Sequence, residues 1–145
     1  MKKLFFTLIV VFGLQISYAQ ILNPVRFSYS AIKKGNNQYE VHIKSMIQPK
    51  WHLYSVNNPE GGAVATEIKF QGVKNVFKIR EVGKMKTVFD KEFKMNQKFY
   101  ENNVDFVELV NLNKPNNKLA GSITYMVCND RQCLPPKEVA FEIKL

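Results

Sequence analysis

The sequence predicts an all-β fold, an antiparallel β-sandwich of about seven to nine strands. Apolar and polar residues alternate with a period of two along most of the chain beyond residue 19, the signature of strands with one buried face. Short clusters of Gly, Asn and Pro punctuate these runs, and each cluster reads as a turn. No stretch carries the apolar spacing of an amphipathic helix.

The chain opens with Lys2 and Lys3, followed by an apolar stretch over residues 4–14 broken only by Thr7 and Gly13. Ser17-Tyr18-Ala19 then puts small residues at the last and third-last positions before Gln20. Residues 1–19 therefore read as a cleaved secretory signal peptide and residues 20–145 as one domain. The apolar stretch is shorter than the roughly 20 residues a permanent membrane anchor needs. No second such span follows, so a soluble exported domain without stable membrane insertion is expected. The net charge of +9 comes from 21 basic and 12 acidic residues. The lysines are scattered among Glu and Asp, which describes a solvated surface. A nucleic-acid partner would call for a basic stripe interleaved with aromatics.

In Val25-Arg26-Phe27-Ser28-Tyr29-Ser30 the apolar residues occupy odd positions. Residues 38–44 point Tyr39, Val41 and Ile43 inward and Gln38, Glu40, His42 and Lys44 outward, which makes His42 a solvated strand residue. Ile68 and Phe70 alternate with Glu67 and Lys69, and Val139, Phe141 and Ile143 with Glu138, Glu142 and Lys144. Turns are expected at Lys34-Gly35-Asn36-Asn37, residues 57–62, Asn102-Asn103 and Lys114-Pro115-Asn116-Asn117. The strand ahead of the first cysteine puts Leu119, Gly121, Ile123, Tyr125 and Val127 on one face, with Ser122, Thr124, Met126 and Cys128 on the other. Burying the first set sends Cys128 onto the polar face at the strand's end, accessible to a partner.

Cys128 and Cys133 are the only cysteines. An exported chain meets an oxidising surrounding, where a pair this close is expected as a disulfide. A six-residue loop stabilises a fold by only about 2 kcal/mol, against roughly 4 for a bridge closing about 60 residues. The spacing suits opening and closing better than strength. Asn129 to Gln132 are turn-compatible, and Pro135 and Pro136 cannot donate to a sheet ladder. Leu134, preceding a proline, is pushed toward an extended conformation. Cys133 is thus expected at a stiff, unpaired edge where an incoming thiolate could reach it. Arg131 favours a thiolate and Asp130 opposes it, so no net direction follows.

The segment from Tyr125 to Pro136, two cysteines followed by Pro-Pro, resembles the N-terminal periplasmic domain of the thiol:disulfide interchange protein DsbD. Pro49-Lys50-Trp51-His52-Leu53-Tyr54-Ser55 resembles that family's aromatic segment, and Gly83-Lys84 with Phe89-Asp90-Lys91 its middle section. The resemblance implies an immunoglobulin-like sandwich whose cysteine pair shuttles electrons, a periplasmic location and a role in protein-disulfide reduction. Implied partners are thioredoxin-like or disulfide-isomerase proteins and cytochrome c maturation factors. By the same resemblance Cys133 forms the mixed disulfide and Cys128 resolves it. Full-length family members continue into a transmembrane and a thioredoxin-like domain. This chain ends at Leu145, so a separate membrane electron donor is expected. The resemblance also implies a short acidic and aromatic loop capping the cysteines. The corresponding stretch, residues 79–84, holds Glu81 but no aromatic, and leaves Phe89 or Tyr54 to shield the sulfurs.

A second reading is a non-enzymatic immunoglobulin-like binding module with a fixed disulfide. A metal site is poorly served, because Cys-x4-Cys lacks the spacing of zinc knuckles and only two histidines exist. Soft Cu(I) ligation by Met126, Cys128 and Cys133 is chemically conceivable. His52 reads as a packed or exposed residue ahead of a catalytic base, and Trp51 and Tyr54 as core or rim. No Ser-His-Asp set, phosphate-binding glycine loop or HExxH helix occurs, and no cofactor is expected.

Overall fold

The structure, a computed structural model, describes residues 22–145; the expected signal peptide at residues 1–19 lies outside the described residues. Among the described residues the secondary structure is strand and turn, with no helix. The strands are β1 (Val25–Gly35), β2 (Gln38–Ile47), β3 (His52–Tyr54), β4 (Glu67–Phe70), β5 (Val73–Val76), β6 (Arg80–Val82), β7 (Met85–Asp90), β8 (Met95–Tyr100), β9 (Asn103–Leu112), β10 (Lys118–Tyr125), β11 (Val127–Cys128) and β12 (Lys137–Lys144). They form three antiparallel sheets, ordered β1-β2-β9-β5 with β6 also on β9, β12-β10-β4, and β11-β3-β8-β7.

The twelve strands among the described residues exceed the expected seven to nine because several are fragments of two to four residues. Gly72, at φ 69°, turns the chain between β4 and β5, a conformation that glycine adopts without strain. The expected turn at residues 34–37 closes β1 onto β2, with Asn37 at φ 55°.

The alternation translates directly into a core. Tyr39, Val41 and Ile43 of β2 and Val104, Phe106 and Val110 of β9 are buried, facing Leu119, Ile123 and Tyr125 of β10 and Phe141 and Ile143 of β12. Across the two layers Phe27 meets Tyr125 edge-on at 5.0 Å, and Tyr29 stacks on Phe141 at 4.7 Å. Gly121 gives that ring its place: a Cβ there would lie 2.6 Å from Phe141 Cζ and 2.4 Å from the Lys69 carbonyl oxygen.

His42 is half-buried rather than solvated. Its Nδ1 lies 2.9 Å from Asp105 Oδ2, since β9 runs beside β2 and brings a carboxylate to it. Glu108 sits opposite Val41 in the β2–β9 register and is buried, and burial pushes its carboxyl up to about 7.

In the third sheet the register decides what reaches the cysteines. Leu53 pairs with both Tyr100 and Val127, and all three face the main core. The residues of opposite parity, Tyr54, Phe99 and Cys128, turn to the other face, where they form a second cluster with Ala63.

Candidate functional site: a disulfide under a hairpin cap

Cys128 and Cys133 are joined in a disulfide. The loop between them is a self-contained hairpin. Asn129 N–H donates to the Gln132 carbonyl at 2.9 Å, and Leu134 N–H to the Val127 carbonyl at 2.9 Å. The Asn129 side-chain oxygen accepts from the N–H groups of Arg131 and Gln132, each at 2.9 Å. A short polar side chain that folds back on its own backbone fixes such a turn without help from the rest of the domain.

The two sulfurs have different surroundings. Cys133 is exposed, whereas Cys128 is only 4% exposed and packs with Tyr54, Ala63 and Phe99. The expectation of an accessible Cys128 is therefore corrected. Its parity is as expected, on the face of Met126, but β10 ends at Tyr125 and the chain crosses to pair with β3, where that face is covered. Access falls to Cys133.

Both cysteines line a cleft of about 500 Å³ whose floor includes His52, Tyr54, Gln97 and Phe99. Its opposite wall is the end of the β7–β8 hairpin, residues 88–93. Asp90 pins this end, its Oδ1 accepting from Glu92 N–H at 2.8 Å and Phe93 N–H at 3.1 Å. Phe93 is half-buried against the cluster that holds Cys128, and Phe89 stands at the rim, 60% exposed.

This acidic and aromatic wall replaces the expected cap at residues 79–84. Glu81 is engaged elsewhere, accepting from Ser55 Oγ at 2.8 Å, Val56 N–H at 3.0 Å and Asn57 Nδ2 at 3.0 Å. Of the two shields considered, Tyr54 lies in the floor and Phe89 at the rim. Phe93 was missed. Its signal was the run Phe89-Asp90-Lys91-Glu92-Phe93, which joins two alternating segments and brings aromatics and acids to one turn.

Burial, with Asp90 adding a like-signed push, raises the Tyr54 hydroxyl to about 12, so it remains a neutral donor. Gln97 Oε1 accepts from Asn58 Nδ2 at 2.8 Å and Ala63 N–H at 3.2 Å, tying β8 to the loop between β3 and β4. His52 is half-buried, stacked on Phe99 at 4.2 Å, with Nε2 3.2 Å from Glu101 Oε1. The packed reading of His52 thus describes it well. The Glu101 carboxyl also pairs with Lys86, whose hydrogen bond holds it below the usual carboxylate range. Met126 Sδ accepts a hydrogen bond from Val64 N–H at 3.3 Å.

A disulfide with one exposed and one buried sulfur is attacked at the exposed one, and the buried one leaves. No helix among the described residues is long and apolar enough to cross a membrane. The fold is shared with solved domains at low identity. The N-terminal periplasmic domain of ScsB from Proteus mirabilis aligns at 18% identity and TM-score 0.60, covering 83% of this chain and 45% of that one, so this chain spans under half its length. The reduced DsbD N-terminal domain of Neisseria meningitidis aligns at 16% identity and TM-score 0.51, covering 81% and 84%. The DsbD N-terminal domain from its Neisseria meningitidis complex with the PilB N-terminal domain gives 15%, 0.58, and 85% and 87%. At these identities the likeness is one of fold, an immunoglobulin-like sandwich. No curated protein sequence matches the chain. The family described as thiol:disulfide interchange protein DsbD, N-terminal, matches residues 19–145. The chain belongs to that family of thiol–disulfide interchange domains.

Proposed function

We propose that residues 20–145, released from a cleaved signal peptide, form a periplasmic module that passes electrons to protein partners through Cys128 and Cys133. The observation that carries this reading is the asymmetry of the disulfide, with Cys133 exposed at the foot of the hairpin, opposite Cys128, and Cys128 buried beside the capping turn. In the reducing direction, the Cys133 thiolate attacks a partner disulfide and one partner sulfur leaves. Cys128 then attacks Cys133, closing the intramolecular bond and releasing the reduced partner. A separate membrane protein restores the dithiol. The partners are thioredoxin-like or disulfide-isomerase proteins, whose exposed cysteines fit a shallow cleft, and cytochrome c maturation factors are candidates of the same kind.

The test is covalent trapping. Cys128→Ser is expected to leave Cys133 joined to a partner in a mixed disulfide recoverable from the periplasm, while Cys133→Ser traps none. A redox titration of the wild-type domain is expected to give a potential between about −230 and −180 mV. A value below about −300 mV, with no trapped species, would assign the bridge to a fixed staple in a binding module.

A further inference from the structure

When a thiolate attacks the exposed Cys133, the electron pair of the broken S–S bond departs on Cys128. That sulfur is packed against Tyr54, Phe99 and Ala63. Burial in apolar surroundings disfavours a thiolate, and a poor leaving group slows exchange. The site therefore needs a positive charge or a proton next to Cys128.

His52 is the residue placed to supply it. In the β3–β11 pair His52 and Cys128 are direct cross-strand partners, and both line the cleft. Directly opposed residues of an antiparallel pair hold their Cβ atoms about 4.5–5.5 Å apart on the same face of the sheet. The imidazole is held rather than free, stacked on Phe99 and tied through Nε2 to Glu101. Imidazole is also the side chain that exchanges protons near neutral pH.

We propose that His52 handles the proton of the buried sulfur, giving it to Cys128 as the disulfide opens and taking it back as Cys128 attacks a mixed disulfide. This rests on the exchange reading above. In the opening step, the external thiolate forms a bond to Cys133 Sγ, the Cys128–Cys133 bond breaks, and the imidazolium proton moves to Cys128. The neutral imidazole is then reprotonated from water. In the closing step the imidazole takes the Cys128 proton, and the partner sulfur carries away the electron pair. Glu101, itself paired with Lys86, faces His52 from just past the end of β8, its Oε1 3.2 Å from the imidazole Nε2. The cap brings Asp90, Lys91 and Glu92 to the cleft and the cysteine hairpin brings Asp130 and Arg131, two cations among three carboxylates.

The experiment uses 2-mercaptoethanol, so it needs no protein partner. The rate of opening of the oxidised domain is measured from pH 5.5 to 8.5 and expressed per 2-mercaptoethanol thiolate. For the wild type this rate is expected to fall about tenfold as the imidazolium is lost. In His52→Gln it is expected to be flat and low. His52→Phe keeps the stack on Phe99 and serves if the first variant does not fold. A second readout uses Cys133→Ala, in which the absorbance of the Cys128 thiolate at about 240 nm is expected to appear at higher pH once His52 is replaced. Profiles that superimpose between wild type and both His52 variants, with an unmoved thiolate transition, would overturn the proposal. That result leaves partner trapping by Cys128→Ser untouched, whereas failure to trap a partner leaves these rates unchanged.

Discussion

Gly121→Ala is expected to lower the unfolding free energy by about 3 kcal/mol, read as a shift in the denaturant midpoint with an unchanged slope. Gly121 lies in the middle of β10, paired with Phe70 of β4 on one side and Phe141 of β12 on the other. The Phe141 ring passes over it, stacked on Tyr29 and edge-on to Phe70 at 5.8 Å. An added Cβ meets a backbone carbonyl at 2.4 Å and that ring at 2.6 Å. The carbonyl belongs to a paired strand, so relief requires β4 and β10 to separate or the aromatic stack to give way. In an ordinary strand the same change would help by about 0.4–1 kcal/mol, through the unfolded chain alone. A neutral or stabilising result would show that Phe141 does not sit over β10.

The second large effect is a pH dependence. Glu108 faces the core with its Oε2 unpartnered, and burial lifts its carboxyl from 4.5 to about 7. Between those values the unfolded chain has released the proton while the folded chain keeps it. The unfolded state then binds fewer protons, so stability falls as pH rises, by about 3 kcal/mol across the window, and levels off above it. Glu40 and Glu101 act in the opposite sense. Each is held below its usual value, chiefly by hydrogen bonds from Lys34 and Lys86 respectively, and their contribution is lost in acid. The difference between wild type and Glu108→Gln isolates the buried group. That difference is expected to grow from near zero at about pH 4 to about 3 kcal/mol by pH 8, measured by urea unfolding. A flat difference would mean that the carboxyl reaches water.

Much of the fold was legible because its long strands keep one face wet. The alternation read over residues 25–30, 39–44, 119–125 and 138–144 matches the sides that are buried, with His42 more covered than expected, and the cluster at residues 34–37 falls where β1 reverses into β2. The central strand was harder. In β9 Phe106, Val107 and Glu108 are all buried in succession, with a carboxylate on the parity of the core residues and an apolar Val107 on the other, so the sequence does not mark which side is core. At the site, both cysteines and their hairpin could be read from spacing and turn chemistry. The exposure of each sulfur could not, because it depends on Met126, where the chain leaves one sheet and joins another. A parity rule carried along one strand has no information about what covers it in the next. The capping turn was misplaced for the same reason: β6 and β7 adjoin in sequence yet belong to different sheets.

The bridge between Cys128 and Cys133 lies inside one hairpin whose shape is already held by Asn129 and by the bond from Leu134 to Val127. It fastens no layer to another. Gaining or losing two electrons should therefore leave the scaffold indifferent, with oxidised and reduced forms melting within about 2 kcal/mol of each other. A relay benefits from such indifference, since its cargo can be loaded and unloaded at every turnover while the carrier keeps a constant shape.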